Sequence, residues 1–162
     1  MMTRRAAERD LTSITAIYNQ GIEDRIATLE TEIKCESYVK KWLFDREERY
    51  AVVVAEENEE IVGWASINSY SPRAAYRGVG EISIYVRREY RGKGIGQVLL
   101  AALEDAATHY QFYKLVLFTF PFNHLGQGLY RKSGYREVGV FEKQGILEGE
   151  YIDVMIMEKL LI

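Results

Sequence analysis

The chain has 162 residues, 48% of them hydrophobic and 28% charged, which suits one α/β domain with a substantial core and argues against a second. A formal net charge of −3 excludes the strongly basic balance of a general nucleic-acid binder. No run of about 18 apolar residues is available to span a membrane, and the lone cysteine, Cys35, cannot form an internal disulfide and fits a reducing compartment.

From the N-terminus, "MMTRRAAERDLTSITAIY" carries two early arginines but mixes polar and apolar residues. It offers no continuous apolar core for a signal peptide, so the expected location is the cytoplasm. A short opening strand is expected before Asp10. Leu11, Ile14, Ile17, Tyr18 and Ile22 then recur at helical spacing with Asp10 as N-cap, which predicts a first helix over 11–22. "SYVKKWLFDREE" puts Tyr38, Val39, Trp42 and Leu43 on one face of a second helix, ahead of the β-rich "YAVVVAEE". The charged "EENEE" reads as a hairpin turn into "IVGWASINSY", and another strand alternates from Gly80 to Val86.

A stripe of Ile95, Val98, Leu99, Ala102, Leu103 and Ala106 predicts a long amphipathic helix. "YKLVLFTF" is a buried strand ended by Pro121, and "FNHLGQGLYRKSG" a weaker helix with two internal glycines. Two strands, near 134–142 and 150–158, follow. The order β α α β β β α β α β β predicts a single α/β (α+β) domain, with a mixed, largely antiparallel sheet of about seven strands and helices on both faces.

Between the Gly80–Val86 strand and the long helix lies "RGKGIG", Arg91 to Gly96. Small residues let backbone N–H groups approach a ligand there, and the helix that follows directs its positive end to the same place. Arg91 and Lys93 add charge, so the turn suits a phosphate or pyrophosphate; a plain tight turn is the other reading of the glycines. A Walker A loop is excluded because Gln97 and Val98 follow Gly96. A dinucleotide fingerprint is excluded because its third glycine falls on Gln97 or Leu99.

R-x-x-G-x-G after a strand and before a long helix resembles the pyrophosphate loop of the GNAT acyl-CoA-dependent N-acetyltransferases. Asn123, Tyr130, Gly134 and Tyr135 repeat the spacing of a second motif of that family. Within it the chain is most similar to the phosphinothricin, methionine sulfoximine and arsinothricin acetyltransferase group. That similarity lies in "IYNQGIEDRIATLETE", "SPRAAYRGVGEISIYV" and "YIDVMIMEK", and "IYNQGIEDR" leans toward the arsinothricin branch.

The resemblance implies a GNAT-like fold and acetyl-CoA as co-substrate. The backbone of Ile84, Tyr85 and Val86 is expected along the pantetheine arm, with a strand N–H polarising the thioester carbonyl. Arg91, Gly92, Lys93, Gly94, Ile95 and Gly96 are expected around the pyrophosphate, and Asn123 on the pantetheine amides. Glu81 is implied as general base, sharing a strand face with Ser83 and Tyr85. Tyr130 is implied as general acid, where some of the group carry histidine. Glu30, Thr31, Arg73, Tyr76 and Tyr151 are the implied acceptor residues, with Asp153 completing the pocket or supporting a homodimer.

Each role has a plainer rival: a solvated strand-end carboxylate for Glu81, a packed aromatic for Tyr130 and helix capping for Asn123; Arg77, close to Arg73 and also able to clamp an anionic group, has surface charge as its rival. His109 and His124 have no ligand spacing with cysteines or acidic residues, so no metal is expected. The expected activity is N-acetylation of a small glutamate-like toxin. Acetylation of a polyamine, an aminoglycoside or a protein amine is the alternative within enzymes, and a non-catalytic acyl-CoA-binding module the alternative outside them.

Overall fold

The structure, a computed structural model, describes residues 1–162. In chain order it contains β1 (Met2–Arg5), α1 (Leu11–Asp24), α2 (Glu36–Phe44), β2 (Val52–Glu57), β3 (Glu60–Ser69), β4 (Val79–Val86) and α3 (Ile95–His109). β5 (Lys114–Thr119), α4 (His124–Lys132), β6 (Arg136–Leu147) and β7 (Glu150–Leu160) follow. The strands form one sheet in the order β1-β2-β3-β4-β5-β7-β6. Every neighbouring pair is antiparallel except β4 and β5, which α3 joins as a crossover. The mixed, largely antiparallel seven-stranded sheet therefore agrees with the element order read from the sequence.

The buried run of β2 and β3 follows from burial on both faces of the sheet. Val53, Ala55, Val62, Ala65 and Ile67 pack with Leu99, Leu103, Leu115 and Met157 beneath α3. Val52, Val54, Ile61 and Trp64 pack on the other face with Ile14, Ile17, Val39 and Leu43 of α1 and α2. Each such fully buried aliphatic side chain contributes about 1.5–3 kcal/mol. The hairpin between β2 and β3 turns on Asn58 and Glu59, both at positive φ (51° and 66°), the backbone of a two-residue hairpin loop.

Three sequence expectations are corrected. Asp10 does not cap α1 with its side chain. Its carboxylate instead accepts from both Arg4 guanidinium nitrogens (2.7 and 2.8 Å) and from the Ala7 N–H (2.8 Å). Tyr38 is exposed although its helix neighbours Val39 and Leu43 are buried. On α3, Val98 faces solvent while Leu100 and Ala107 join the core, because the buried stripe is offset from the one read by spacing. No helix is long and apolar enough to cross a membrane.

Candidate active site

Pairing between β4 and β5 covers only Val79↔Lys114, Gly80↔Leu115 and Glu81↔Val116. Beyond Glu81, β4 stays paired with β3 through Val86 while β5 continues alongside β7. The sheet therefore opens after Glu81, and the β5-facing side of Ile82–Val86 is left without a strand partner. Such an edge can hydrogen-bond an extended amide-containing ligand as another strand would.

A cleft of about 390 Å³ occupies this opening. Ile84, Tyr85 and Val86 form one wall; Asn123, Leu129 and Tyr130 of the α4 region form the other. Its far end is closed by Arg91, Gly92, Gly94 and Gly96. Gly92 and Gly94 have φ of +76° and +87°, and a Cβ at either would meet nothing within 4 Å, so backbone conformation rather than space calls for glycine there. α3 begins directly after, with Gly94 as its N-cap, and turns its unsatisfied N–H groups toward this end of the cleft. An extended chain carrying amides and ending in a pyrophosphate fits both halves.

The glycine turn is anchored from α1. Arg91 donates to Asp24 (2.6 Å) and to the Val86 carbonyl (3.2 Å), and Arg88 donates to Asp24 (2.8 Å) and Glu23 (3.2 Å). Hydrogen bonds from Arg88 first, and then from Arg91, hold the Asp24 carboxyl below its ordinary range despite burial. Arg91 therefore ties the turn to the end of α1 and to the last residue of β4.

Tyr130 lines the cleft with its ring 5.8 Å from that of Tyr135, and burial pushes its phenol up to about 12. It is a protonated donor at neutral pH. Glu81 stands at the mouth of the opening, half-buried, with burial raising its carboxyl above the usual 4.5. A carboxylate shifted in this way is a better proton acceptor than one in water. Asn123 caps α4, accepting from the Gly126 N–H (3.0 Å), and its amide N–H reaches the Ile26 carbonyl (3.4 Å). Capping and lining the cleft are thus both present in Asn123.

The other expected residues are placed differently. Ile95 is a core side chain, and Lys93 lies with its ammonium 5.5 Å from the Tyr90 ring centre. Arg73 is exposed ahead of the short turn Ala74–Tyr76, and the Tyr76 ring packs on Tyr70. Arg77 pairs with Glu47 (2.8 Å), the surface-charge role. Glu30 pairs with Lys34 (3.0 Å), and the Thr31 carbonyl accepts from Arg25 (3.4 Å). Tyr151 is exposed beside Lys143, whose backbone N–H donates to Asp153 (2.7 Å). None of these acceptor candidates lines the cleft. His124 does, and no group of three or more His, Cys, Asp or Glu side chains is arranged to hold a metal.

The sequence reading missed Tyr90, Gln97, Ile26 and Ala27 as lining residues and Asp24 as the anchor of the turn. For Asp24 a signal existed: Glu23 and Asp24 end α1, where negative charge opposes the helix dipole and calls for a cationic partner.

This site is that of an acyl-CoA-dependent acetyltransferase, and residues 14–135 match the acetyltransferase (GNAT) family; the chain belongs to that family. It is 32% identical over 158 residues to the L-methionine sulfoximine/L-methionine sulfone acetyltransferase of Pseudomonas aeruginosa, covering 96% of this chain and 91% of that one. Its fold matches the crystal structure of a phosphinothricin acetyltransferase from Sinorhizobium meliloti in complex with acetyl-CoA, with a TM-score of 0.93 and 30% identity, over 99% of this chain and 88% of that one. A ribosomal-protein-alanine N-acetyltransferase from Brucella melitensis matches with a TM-score of 0.96 and 31% identity, over 99% and 100% of the two chains.

Proposed function

We propose that this acetyltransferase moves the acetyl group of acetyl-CoA directly onto the α-amino group of a small glutamate-like toxin of the phosphinothricin, methionine sulfoximine or arsinothricin type, protecting its host in the cytoplasm. The observation that carries the reading is the sheet opening after Glu81, which puts a half-buried carboxylate raised by burial at the start of the free edge of β4, the edge whose Ile84–Val86 segment lines the same cleft as Tyr130. The named relatives support the choice of acceptor. Arg73 and Tyr76, on the loop leading into β4, are assigned to the acceptor's anionic end, with Glu30, Thr31 and Tyr151 around it.

In this mechanism Glu81 takes the proton of the substrate ammonium, directly or through water, and the freed amine forms its N–C bond at the thioester carbonyl. A β4 N–H stabilises the developing oxyanion. The C–S bond then breaks, Tyr130 gives its proton to the departing thiolate, and the second proton of the attacking nitrogen, released through water as the amide forms, restores the phenol. The active species is assigned as a homodimer, in keeping with the exposed Val138, Val140 and Phe141 on the long edge strand β6.

The test is coenzyme A release from acetyl-CoA with phosphinothricin, methionine sulfoximine, arsinothricin, glutamate, spermidine, an aminoglycoside and an alanine-terminated peptide. Only turnover counts, since exposed Cys35 can give a stoichiometric thiol background. Turnover confined to the anionic analogues supports the proposal. Turnover of the peptide alone replaces it with a protein acceptor, and acetyl-CoA binding without turnover of any amine replaces it with a binding module.

A further inference from the structure

The last turn of α4 is closed by a cap built around Tyr130. The Tyr135 N–H donates to the Tyr130 carbonyl (3.0 Å) and the Gly134 N–H to the Arg131 carbonyl (3.1 Å), with Gly134 at φ +92°. This is the helix end in which a left-handed glycine stops the chain and the residue after it packs back on the position it bonds. Here those two residues are Tyr135 and Tyr130, whose ring centres lie 5.8 Å apart. Tyr135 is buried and its hydroxyl has no partner, so it serves this contact through its ring.

The carbonyl of the C-cap residue Ser133 receives no backbone N–H and accepts instead from the ammonium of Lys159 on β7 (2.8 Å). The same ammonium donates to both carboxylate oxygens of Glu104 on α3 (2.6 and 3.2 Å) and lies 5.8 Å from the centre of the Tyr135 ring. A Cβ on Gly134 would stand 3.5 Å from Lys159 Cε, so the lysine stem passes directly beside the glycine of the cap. Lys159 reaches this place because it follows Met155 and Met157 on the α3 face of β7.

Lys159 thus joins three elements at one point: β7, which carries it, α3 through Glu104, and the end of α4 through Ser133. The contacts are part-buried and charge-assisted, and the cation lies at the carbonyl end of α4, the end that favours positive charge. The other half of α4 is held separately, by the buried Gln127 amide on the carbonyls of Phe120 (3.1 Å) and Pro121 (2.8 Å).

We propose that Lys159 is a positioning residue for Tyr130, fixing the turn of α4 from which the phenol enters the cleft. The inference rests on the reading of Tyr130 as proton donor for its kinetic meaning, though not for its geometry. Lys159 is not among the residues that line the cleft, so it acts through the turn it holds.

The test is a double-mutant cycle in the full chain between Lys159→Met and Tyr130→Phe, read in kcat and in acetyl-CoA affinity by calorimetry. Lys159→Met alone is expected to lower kcat about tenfold, the effect of a small misplacement of a reacting group. Acetyl-CoA affinity is expected to hold, because Gln127 still fixes the Asn123 end of α4. In the Tyr130→Phe background the same change is expected to have almost no further effect on kcat, since the proton it would misplace is gone. Lys159→Arg, which keeps the charge and the donors, is expected to recover most of the loss. The pair Lys159→Met and Glu104→Leu together leaves no charge unpaired and so protects the fold; its kcat is expected to follow Lys159→Met in both backgrounds.

An equal loss of kcat with and without the Tyr130 hydroxyl is the mark of a merely structural role and overturns the proposal. So does wild-type kcat in Lys159→Met, or a loss confined to acetyl-CoA affinity. Full turnover by Tyr130→Phe removes the proton-donor reading instead. The carbon-13 ring resonance of Tyr130, assigned by its loss in Tyr130→Phe, then decides the positioning by itself: a shift in Lys159→Met supports it, and an unmoved signal overturns it.

Discussion

Glu81 of β4 faces Val116 of β5 as the last pair that joins those strands, so the half-buried carboxylate lies where the sheet begins to open. Replacing Glu81 by Gln is expected to lower kcat by about 10²-fold or more, the usual worth of a positioned general base. Acetyl-CoA affinity, measured by calorimetry, is expected to hold, since Glu81 does not line the cleft. Stability changes in the opposite sense. A carboxyl whose folded pKa is raised disfavours the fold once pH exceeds its unfolded value near 4.5, and fully so above the folded value. Glu81→Gln is therefore expected to melt higher than wild type at neutral pH, with the gain vanishing in acid. A variant both inactive and destabilised at pH 7 contradicts this assignment.

Tyr130→Phe separates proton donation from packing. The ring fills the cleft wall and meets Tyr135, and phenylalanine keeps both contacts. Acetyl-CoA affinity and melting temperature are expected near wild type while kcat falls by about 10²-fold. A donor pushed up to about 12 stays protonated throughout the neutral range, so no basic limb from Tyr130 should appear below about pH 10 in wild type. Unchanged kcat assigns the ring to packing alone.

The Asp24 carboxylate gathers Arg88 and Arg91 and so fixes the glycine turn to α1. Asp24→Asn is expected to leave kcat near wild type and to weaken acetyl-CoA binding by about 1 kcal/mol, roughly fivefold, the worth of a partly exposed ion-pair network. The loss should shrink at high salt, where the wild-type pairs are themselves screened. A fall in kcat without a change in affinity would place Asp24 in another role.

What the sequence showed and what it hid have physical causes. Helix and strand order was legible because α1 and α3 each bury one face and so carry a clear period. The glycine turn was legible because Gly92 and Gly94 hold backbone angles that other residues resist. The sheet opening was not, since "YKLVLFTF" reads the same whether a strand pairs along all of its length or only at Lys114–Val116. Asp10 was misread because an aspartate before a helix serves as a cap by default, and only the fold brings Arg4 of β1 onto it.

That pair supplies a prediction about stability alone. Asp10 is 3% exposed and forms a two-pronged bond with Arg4, far from the cleft. Burial opposes its ionisation, yet the Arg4 guanidinium and the Ala7 N–H bring its carboxyl below the ordinary 3.8. Asp10→Asn keeps the size of the side chain but replaces the two-pronged charged bond to part-buried Arg4, leaving it Glu56 as its one counter-charge, at a cost of about 2–3 kcal/mol. For a chain of this length that lowers the melting temperature by about 4–12 °C at pH 7. A depressed folded pKa gives stability that is present above the unfolded value and lost as pH falls through the folded one. The two melting curves are therefore expected to converge in strong acid, and a gap that stays constant from pH 7 to pH 2 assigns the loss to packing instead of charge.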